Sequence, residues 1–205
     1  MYSHIVKIRL SKDVTYQTGI LLLCIVLTGS LHAQDRFSVQ VRPEVSFATT
    51  EFCDANFKNG FGFEVNFTYR FMPYVSVYTG WGWNKFSVDQ SFVGTNGDFE
   101  ETGYACGLQF IHPFHENLSF DYFLKAGAIY NHIEVENSDG VIVADSGHGF
   151  GFQVETGLSF SLNDKLKPIP GIKYQTLERG IGFEGTSYIV DLNYLSVGLN
   201  LLRVF

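Results

Sequence analysis

FGFEVNFTYRF, residues 61–71, alternates large apolar side chains with small or polar ones without a break. Six apolar residues occupy the odd positions, and five polar or tiny residues occupy the even ones. Successive side chains of a strand point to opposite faces, whereas the apolar positions of an amphipathic helix recur every three or four residues. The stretch therefore predicts a β-strand with one apolar face and one polar face.

The same alternation recurs along the rest of the chain. It predicts eight strands, at about 37–47, 61–71, 75–84, 103–110, 118–130, 150–160, 167–176 and 195–205. Short connections at 72–73, 112–117 and 163–165 alternate with long ones at 49–59, 87–98, 134–147 and 178–186. This asymmetry is typical of membrane barrels. We therefore predict an all-β fold, an eight-stranded antiparallel up-and-down transmembrane β-barrel.

The beginning of the chain differs from the rest of its 205 residues. Lys7, Arg9 and Lys12 precede a short apolar run at 20–27, and Ala33 follows that run. A basic start, a short apolar middle and a small residue before the break are typical of a secretory signal. We predict a signal peptide at 1–33 and a single barrel domain at 34–205. Cys53 and Cys106, the cysteines that would remain, are expected to be unpaired.

The charge of the predicted mature chain limits its partners. Removing residues 1–33 leaves 11 basic and 20 acidic residues, a formal charge of −9. An acidic surface argues against nucleic acid as a partner. No later segment is long and apolar enough for a membrane helix, so a membrane location requires a closed barrel.

The bulk of the apolar side chains decides which face meets lipid. A soluble ligand-binding barrel in the periplasm also alternates, but its apolar face points inward. The interior of eight strands is just wide enough for side chains to fill it, so phenylalanine at nearly every inward position would not fit. We therefore expect the bulky face to point outward into lipid, with the soluble barrel as the alternative.

The opposite face carries charges that would then lie inside. The predicted interior set consists of Arg42, Glu44, Glu64, Arg70, Glu101, Asp121, Lys125, Glu155 and Lys173. Unpaired charges in a narrow interior are costly, so we expect a salt-bridge network that plugs the barrel. The functional alternative is a proton or ion path through these carboxylates.

The end of the chain carries the most specific family signal. Val197, Leu199, Leu201 and Phe205 form an alternating apolar strand that finishes on a terminal phenylalanine, with Arg203 departing from the pattern. In this the chain resembles the small outer-membrane β-barrel proteins of Gram-negative bacteria, in particular the PorT-type barrels of Bacteroidetes and OmpA-like transmembrane domains. The resemblance covers residues 35–205. It implies an outer-membrane location and recognition of the last strand by the barrel-assembly machinery.

Two histidines form the one candidate for a chemical site. No G-x-S-x-G or H-E-x-x-H motif occurs, and we predict no catalytic residue, cofactor or metal. His132 and His148 would face each other near the outer rim, where they could contact a metal or lipid phosphate, but a metal needs more than two ligands. We expect a structural or surface-interaction role through the outer loops. The expected partners are outer-membrane lipid, lipopolysaccharide and a surface or secretion-system protein, and the alternative is a lipid-modifying enzyme.

Overall fold

A computed structural model describes residues 36–49, 59–91, 94–115, 118–183 and 186–205, with side chains undescribed at 89–91, 94–96, 183 and 186–188. The predicted signal peptide, Cys53 and most of the predicted loop at 49–59 lie outside these residues. Within them, no helix is long and apolar enough to cross a membrane.

The described residues form eleven strands. They are β1 (Phe37–Ala48), β2 (Gly60–Arg70), β3 (Val75–Ser91), β4 (Gly94–Pro113), β5 (Phe120–Glu136), β6 (Ile142–Asp145), β7 (Gly149–Phe160), β8 (Leu166–Thr176), β9 (Glu178–Phe183), β10 (Thr186–Asp191) and β11 (Tyr194–Val204). Eight of them close a ring in the order β1-β2-β3-β4-β5-β7-β8-β11, and each pairs antiparallel with its neighbours. The prediction of an eight-stranded antiparallel barrel is confirmed.

The two faces of the wall are those that the alternation predicts. On β2, Phe67 is 62% exposed on the outside, whereas its neighbour Asn66 is fully buried inside. The outward positions of β11 are likewise exposed, and all of them except Arg203 are apolar. The bulky side chains therefore cover the outside of the barrel as an apolar band, and the polar ones fill the inside.

The two ends of the barrel differ. Tight turns at 71–74 and 161–165 lie at the same end as Arg36, Phe205, the end of β4 and the start of β5, and we call this the short-turn end. The hairpins β3–β4, β5–β6 and β9–β10 project from the opposite end, which we call the hairpin end. The predicted loops at 87–98, 134–147 and 178–186 are therefore wrong in large part, because strands occupy most of these residues.

The chemical character of the two faces is reversed at the hairpin end, although the same positions along each strand still point outward. Lys85 and Glu100 point outward, while Phe86 and Phe99, one position along each strand, are fully buried inside. The wall here has left the apolar band, so its outer face is polar and its inner face is apolar. The inner side chains form a cluster that we call the outer core, which includes Phe86, Val88, Phe99, Ile133, Val135, Leu177, Ile181, Val190 and Leu192.

Candidate functional site in the barrel interior

Six of the nine predicted interior charges form a closed ring of ion pairs. In order around the ring they are Arg42, Glu44, Lys173, Glu64, Lys125 and Glu155. Each base contacts two acids and each acid contacts two bases. We call this set the charge ring.

The charge ring joins five of the eight strands of the barrel wall. Its residues come from β1, β2, β5, β7 and β8, and their side chains are at most 4% exposed. The measured separations are 2.9 Å for Arg42 Nε to Glu155 Oε1, 2.9 Å for Lys173 Nζ to Glu44 Oε1, 3.1 Å for Lys173 Nζ to Glu64 Oε2, and 3.8 Å for Lys125 Nζ to Glu155 Oε2. Three bases and three acids leave no net charge. A buried charge is tolerated when it is paired and hydrogen-bonded, and here every member has two partners of opposite sign.

Neutral polar side chains add hydrogen bonds to the carboxylates of the ring. Ser196 Oγ donates to Glu44 Oε2 at 2.7 Å, and Asn200 Nδ2 donates to Glu155 Oε1 at 2.6 Å. Both donors lie on β11, which carries none of the ring charges. The last strand therefore contributes side-chain hydrogen bonds to the charge ring in addition to its backbone pairing with β1 and β8.

Tyr78 is an interior residue that the alternation alone misses. It is the large exception on the small, polar face of β3, and it is 1% exposed. Its ring lies 4.4 Å from Lys125 Nζ, and its hydroxyl accepts a hydrogen bond from Gln153 Nε2 at 3.1 Å. Gly127 makes room for that hydroxyl, because a Cβ built there would collide with it. A large inward residue that lies over an inward glycine could therefore identify such a position, but the strand register must be known first.

Glu101 lies between the charge ring and the outer core. It is buried, and it has no ion-pair partner among the described side chains. Its carboxylate accepts a hydrogen bond from Tyr194 Oη at 2.7 Å, and the amides of Gln175 and Asn131 also donate to it. Glu101 thus lies inside the barrel, and neutral donors rather than a base compensate its charge.

Arg179, on β9, covers this layer from the hairpin end. Its guanidinium is largely buried, and it donates to the backbone oxygens of Asn131 and Phe150, both at 3.0 Å. The alternation does not identify Arg179 as an interior residue, because Arg179 falls in a stretch predicted as a loop.

Two predicted members of the network lie apart from the charge ring. Arg70 is exposed, and Asp121 is half-buried beside Lys167, with Lys167 Nζ 3.6 Å from Asp121 Oδ2. Together with Arg36 they line a cavity of about 230 Å³ at the short-turn end. Their parity is correct, but each occupies a position at the mouth of the barrel, where water reaches it.

Little space is left inside the barrel beside the charge ring. A gap lined by Glu64, Asn84, Glu101, Gln153 and Lys173 has a volume of about 20 Å³. A gap of this size holds about one water molecule.

The predicted assembly strand and the two histidines both lie on the outside. Val197, Leu199, Leu201 and Phe205 are 39–54% exposed, as the prediction of a lipid-facing last strand requires. The rings of His132 and His148 stack with centroids 4.3 Å apart and planes 12° apart, on the outer face near the hairpin end. The predicted opposition of the two histidines is therefore present.

Comparisons with known proteins agree with this architecture. A family model described as "Outer membrane protein beta-barrel domain" matches residues 18–201. No curated protein matches the sequence.

Several solved structures share the fold at low sequence identity. Neisserial surface protein A has a TM-score of 0.62 at 15% identity, covering 82% of this chain and 97% of that one. OprG from Pseudomonas aeruginosa has a TM-score of 0.59 at 14% identity, covering 82% and 96%. The outer membrane protein AlkL, solved in DMPC lipid bilayers, has a TM-score of 0.54 at 14% identity, covering 84% and 90%.

Proposed function

The chain belongs to the outer membrane protein beta-barrel domain family, and on that premise we propose that it is a closed barrel that acts through its surface. In this proposal the barrel is an anchor in the outer membrane and not a pore. The hairpins β3–β4, β5–β6 and β9–β10 present the surface at which a partner would bind.

The charge ring is the observation that supports a closed barrel. It crosses the interior with six side chains that are almost fully buried. The outer core lies above it and provides an apolar layer that ions do not enter readily. An ion moving along the axis would have to separate buried ion pairs and then cross this apolar layer.

A proton or ion path through the same carboxylates is the competing function. Glu44, Glu64 and Glu155 each contact two bases, so the ring holds every one of these carboxylates on both sides. A relay would also need water or hydroxyl groups that lead from the carboxylates to both ends of the barrel, and the gap beside the ring holds about one water molecule. The ring geometry therefore favours a structural role over a proton relay.

A soluble carrier and a lipid-modifying enzyme both receive less support than the anchor. A soluble carrier would expose a polar outer wall, whereas here Phe61, Phe67 and Phe150 are 58–77% exposed. A lipid-modifying enzyme that used His132 would need an activated nucleophile beside it. The hydroxyl of Ser146 is already engaged, since it accepts from the Ile133 amide at 2.8 Å and contacts the Gly147 carbonyl at 2.9 Å.

The orientation and the neighbours of the barrel are part of the proposal. We place the short-turn end in the periplasm of a Gram-negative cell and the hairpin end outside, after removal of residues 1–33. Lipid and lipopolysaccharide would surround the wall, and the barrel-assembly machinery would recognise β11. A PorT-type role with a surface or secretion-system partner is the specific form of this proposal.

Electrical conductance across a planar lipid bilayer tests the closed barrel. The purified protein is inserted, insertion is checked by the shift between boiled and unboiled samples on a gel, and a general porin serves as the positive control. We expect no stable conductance steps from the inserted protein at voltages at which the porin conducts. Reproducible open-channel steps from the folded protein would contradict the proposal.

A further inference from the structure

Three side chains that can bind metals meet on the outer wall near the hairpin end. His132 and Glu134 point outward from β5, and Asp145 lies on β6, where it pairs with Glu134. His132 Nδ1 is 3.1 Å from Asp145 Oδ1. One ligand atom from each of the three residues lies within 4.8 Å of the other two.

The backbone holds this group in place. Gly147 has a φ of +66°, in the left-handed region, and its amide donates to Asp145 Oδ1 at 2.8 Å. The Ser146 amide donates to the Ile133 carbonyl at 3.0 Å and thereby ties the segment between β6 and β7 to β5. Because β6 and β7 both pair antiparallel with β5, the chain continues in the same direction through this segment, which brings His148 onto the ring of His132.

The charges around the group call for a cation. Glu134 lies directly opposite Glu100 on β4 and opposite Asp145 on β6, so that three carboxylates form a row across three strands. Like charges directly opposite each other on neighbouring strands are destabilising. The nearby base, Lys85, binds Asp98, Glu100 and Glu136, and among the described residues no group donates to the Glu134 carboxylate.

We propose that His132, Glu134 and Asp145 bind a divalent transition-metal ion of the Zn²⁺ type, with His148 beside them as a further donor. Imidazole combined with carboxylate is a ligand set that suits Zn²⁺, whereas Ca²⁺ and Mg²⁺ prefer oxygen ligands alone. Tetrahedral ligands at zinc bond lengths lie about 3.4 Å apart, so modest rotations of the side chains bring these donors into range. Two carboxylates at the site would repel a phosphate, which favours a metal over a lipid phosphate as the ligand.

The location makes the site accessible from outside the cell. The rings of Tyr130 and Phe150 pack against each other with centroids 5.0 Å apart, and the ring of His148 lies 5.2 Å from that of Tyr130. The aromatic pair belongs to the apolar band, so the proposed metal lies at the border of the band toward the hairpin end. Binding there would join β5 to the segment between β6 and β7 and stiffen the hairpin. This inference does not depend on whether the barrel interior is closed.

Binding of Zn²⁺ alone to the detergent-solubilised full chain, without a histidine tag, tests the site by isothermal titration calorimetry. We expect a single saturable ion per chain. His132→Gln, Glu134→Gln and Asp145→Asn should each weaken binding about 10- to 100-fold. The matched control is Asp139→Asn, an exposed carboxylate in the same hairpin but outside the group, and it should bind Zn²⁺ as the unaltered chain does. Absence of saturable binding, or equal binding by all four variants, would overturn the proposal.

Two further measurements keep the result interpretable. The first is a folding check of each variant by its gel shift on boiling. The second is the addition of Co²⁺ to the unaltered chain, a test that does not depend on any substitution. We expect the visible absorption of a low-coordinate Co²⁺ site with nitrogen ligation, and its loss on addition of Zn²⁺. A spectrum of hydrated Co²⁺ only, or tighter binding of Mg²⁺ than of Zn²⁺, would show that the assigned metal class is wrong.

Discussion

Arg42 and Glu155 meet inside the barrel, with Arg42 Nε 2.9 Å from Glu155 Oε1, although 113 positions separate them in the sequence. Arg42 also contacts Glu44, its neighbour on the same face of β1. One guanidinium therefore links the first strand to β7 and closes the charge ring on that side. This relationship makes the ring dependent on the correct closure of the whole barrel.

Replacing Arg42 should destabilise the barrel more than replacing an arginine on its outside. In Arg42→Met, Glu44 and Glu155 each lose one of their two bases but remain buried. Removal of one partner from a buried ion pair costs about 3–5 kcal/mol. The measurement is the free energy of unfolding in urea in lipid vesicles.

The control for this variant is Arg203→Met, an outward arginine beside Phe205 on β11. It should change the unfolding free energy by less than about 1 kcal/mol, as is usual for surface changes. The double variant Arg42→Met with Glu155→Gln should recover part of the loss, since one unpaired charge disappears. Equal effects of the two single variants would argue against a ring that contributes to stability.

Gly198 provides the space that the Arg42 guanidinium occupies. A Cβ built on Gly198 would lie 2.7 Å from Arg42 Cζ and 2.8 Å from the Pro43 carbonyl oxygen. Gly198→Ala should therefore cost about 1–3 kcal/mol of unfolding free energy through overpacking. Gly182→Ala is the matched control, because no described atom lies within 4 Å of a Cβ built there. A neutral Gly198→Ala would mean that the ring is packed less tightly than the structure shows.

Two exposed apolar residues should respond differently to the same substitution. Phe67 is 62% exposed in the middle of the apolar band, and Ile189 is 65% exposed on β10 at the hairpin end. An arginine on the lipid-facing wall costs about 2–4 kcal/mol of stability near the middle of the bilayer, and this cost falls to almost nothing at the membrane surface. Phe67→Arg should thus lower stability in lipid vesicles by that amount, while Ile189→Arg should leave it nearly unchanged. Similar losses from both variants would contradict the position of the apolar band.

The ion pairs at the hairpin end predict a dependence on acid pH. Burial alone would raise the pKa of Asp98, but hydrogen bonds from Ser87 and Lys85 and the charge of Lys85 outweigh it, so the pKa of Asp98 is lowered. A carboxyl of this kind stabilises the fold above its unfolded pKa of about 3.9, and the contribution is lost as the pH falls through the lower folded value.

Unfolding of the unaltered chain and of Asp98→Asn over a range of pH measures this contribution. The unaltered chain should be more stable at pH 7, and the difference should shrink once the pH falls below about 4. A stability difference that persists unchanged into strong acid would assign the effect of the substitution to packing instead of charge.

The sequence predicts the barrel well because lipid imposes a simple rule on each strand. Within the apolar band, outward residues must be apolar and inward residues must fit a narrow polar interior, so parity alone places Arg42, Glu64 and Lys125 correctly. Parity does not say which charges meet, because four of the six ion pairs join strands that are not neighbours in the sheet. The order in which the six charges contact one another therefore cannot be predicted from parity.

The rule fails where the strands leave the band. Phe86 and Phe99 occupy the inward positions of β3 and β4, which are small or polar within the band. The pattern of apolar outward and polar inward residues ends there. The strands nevertheless continue. Their outward residues are now polar because water surrounds the outside, and their inward residues are apolar because they form the outer core. The same failure hid Arg179 and Asp145, whose segments carry many polar residues and were predicted as loops.

Quenching of tryptophan fluorescence by brominated phospholipids tests most directly whether the apolar band faces hydrocarbon. The chain has two tryptophans, and both Trp81 and Trp83 lie on the outward face of β3. In vesicles, Trp83→Phe isolates Trp81, and bromine placed along the acyl chains should quench its emission strongly, while a water-soluble quencher should have little effect. Emission that acyl-chain bromine leaves unchanged and that the water-soluble quencher suppresses would contradict a band that faces lipid.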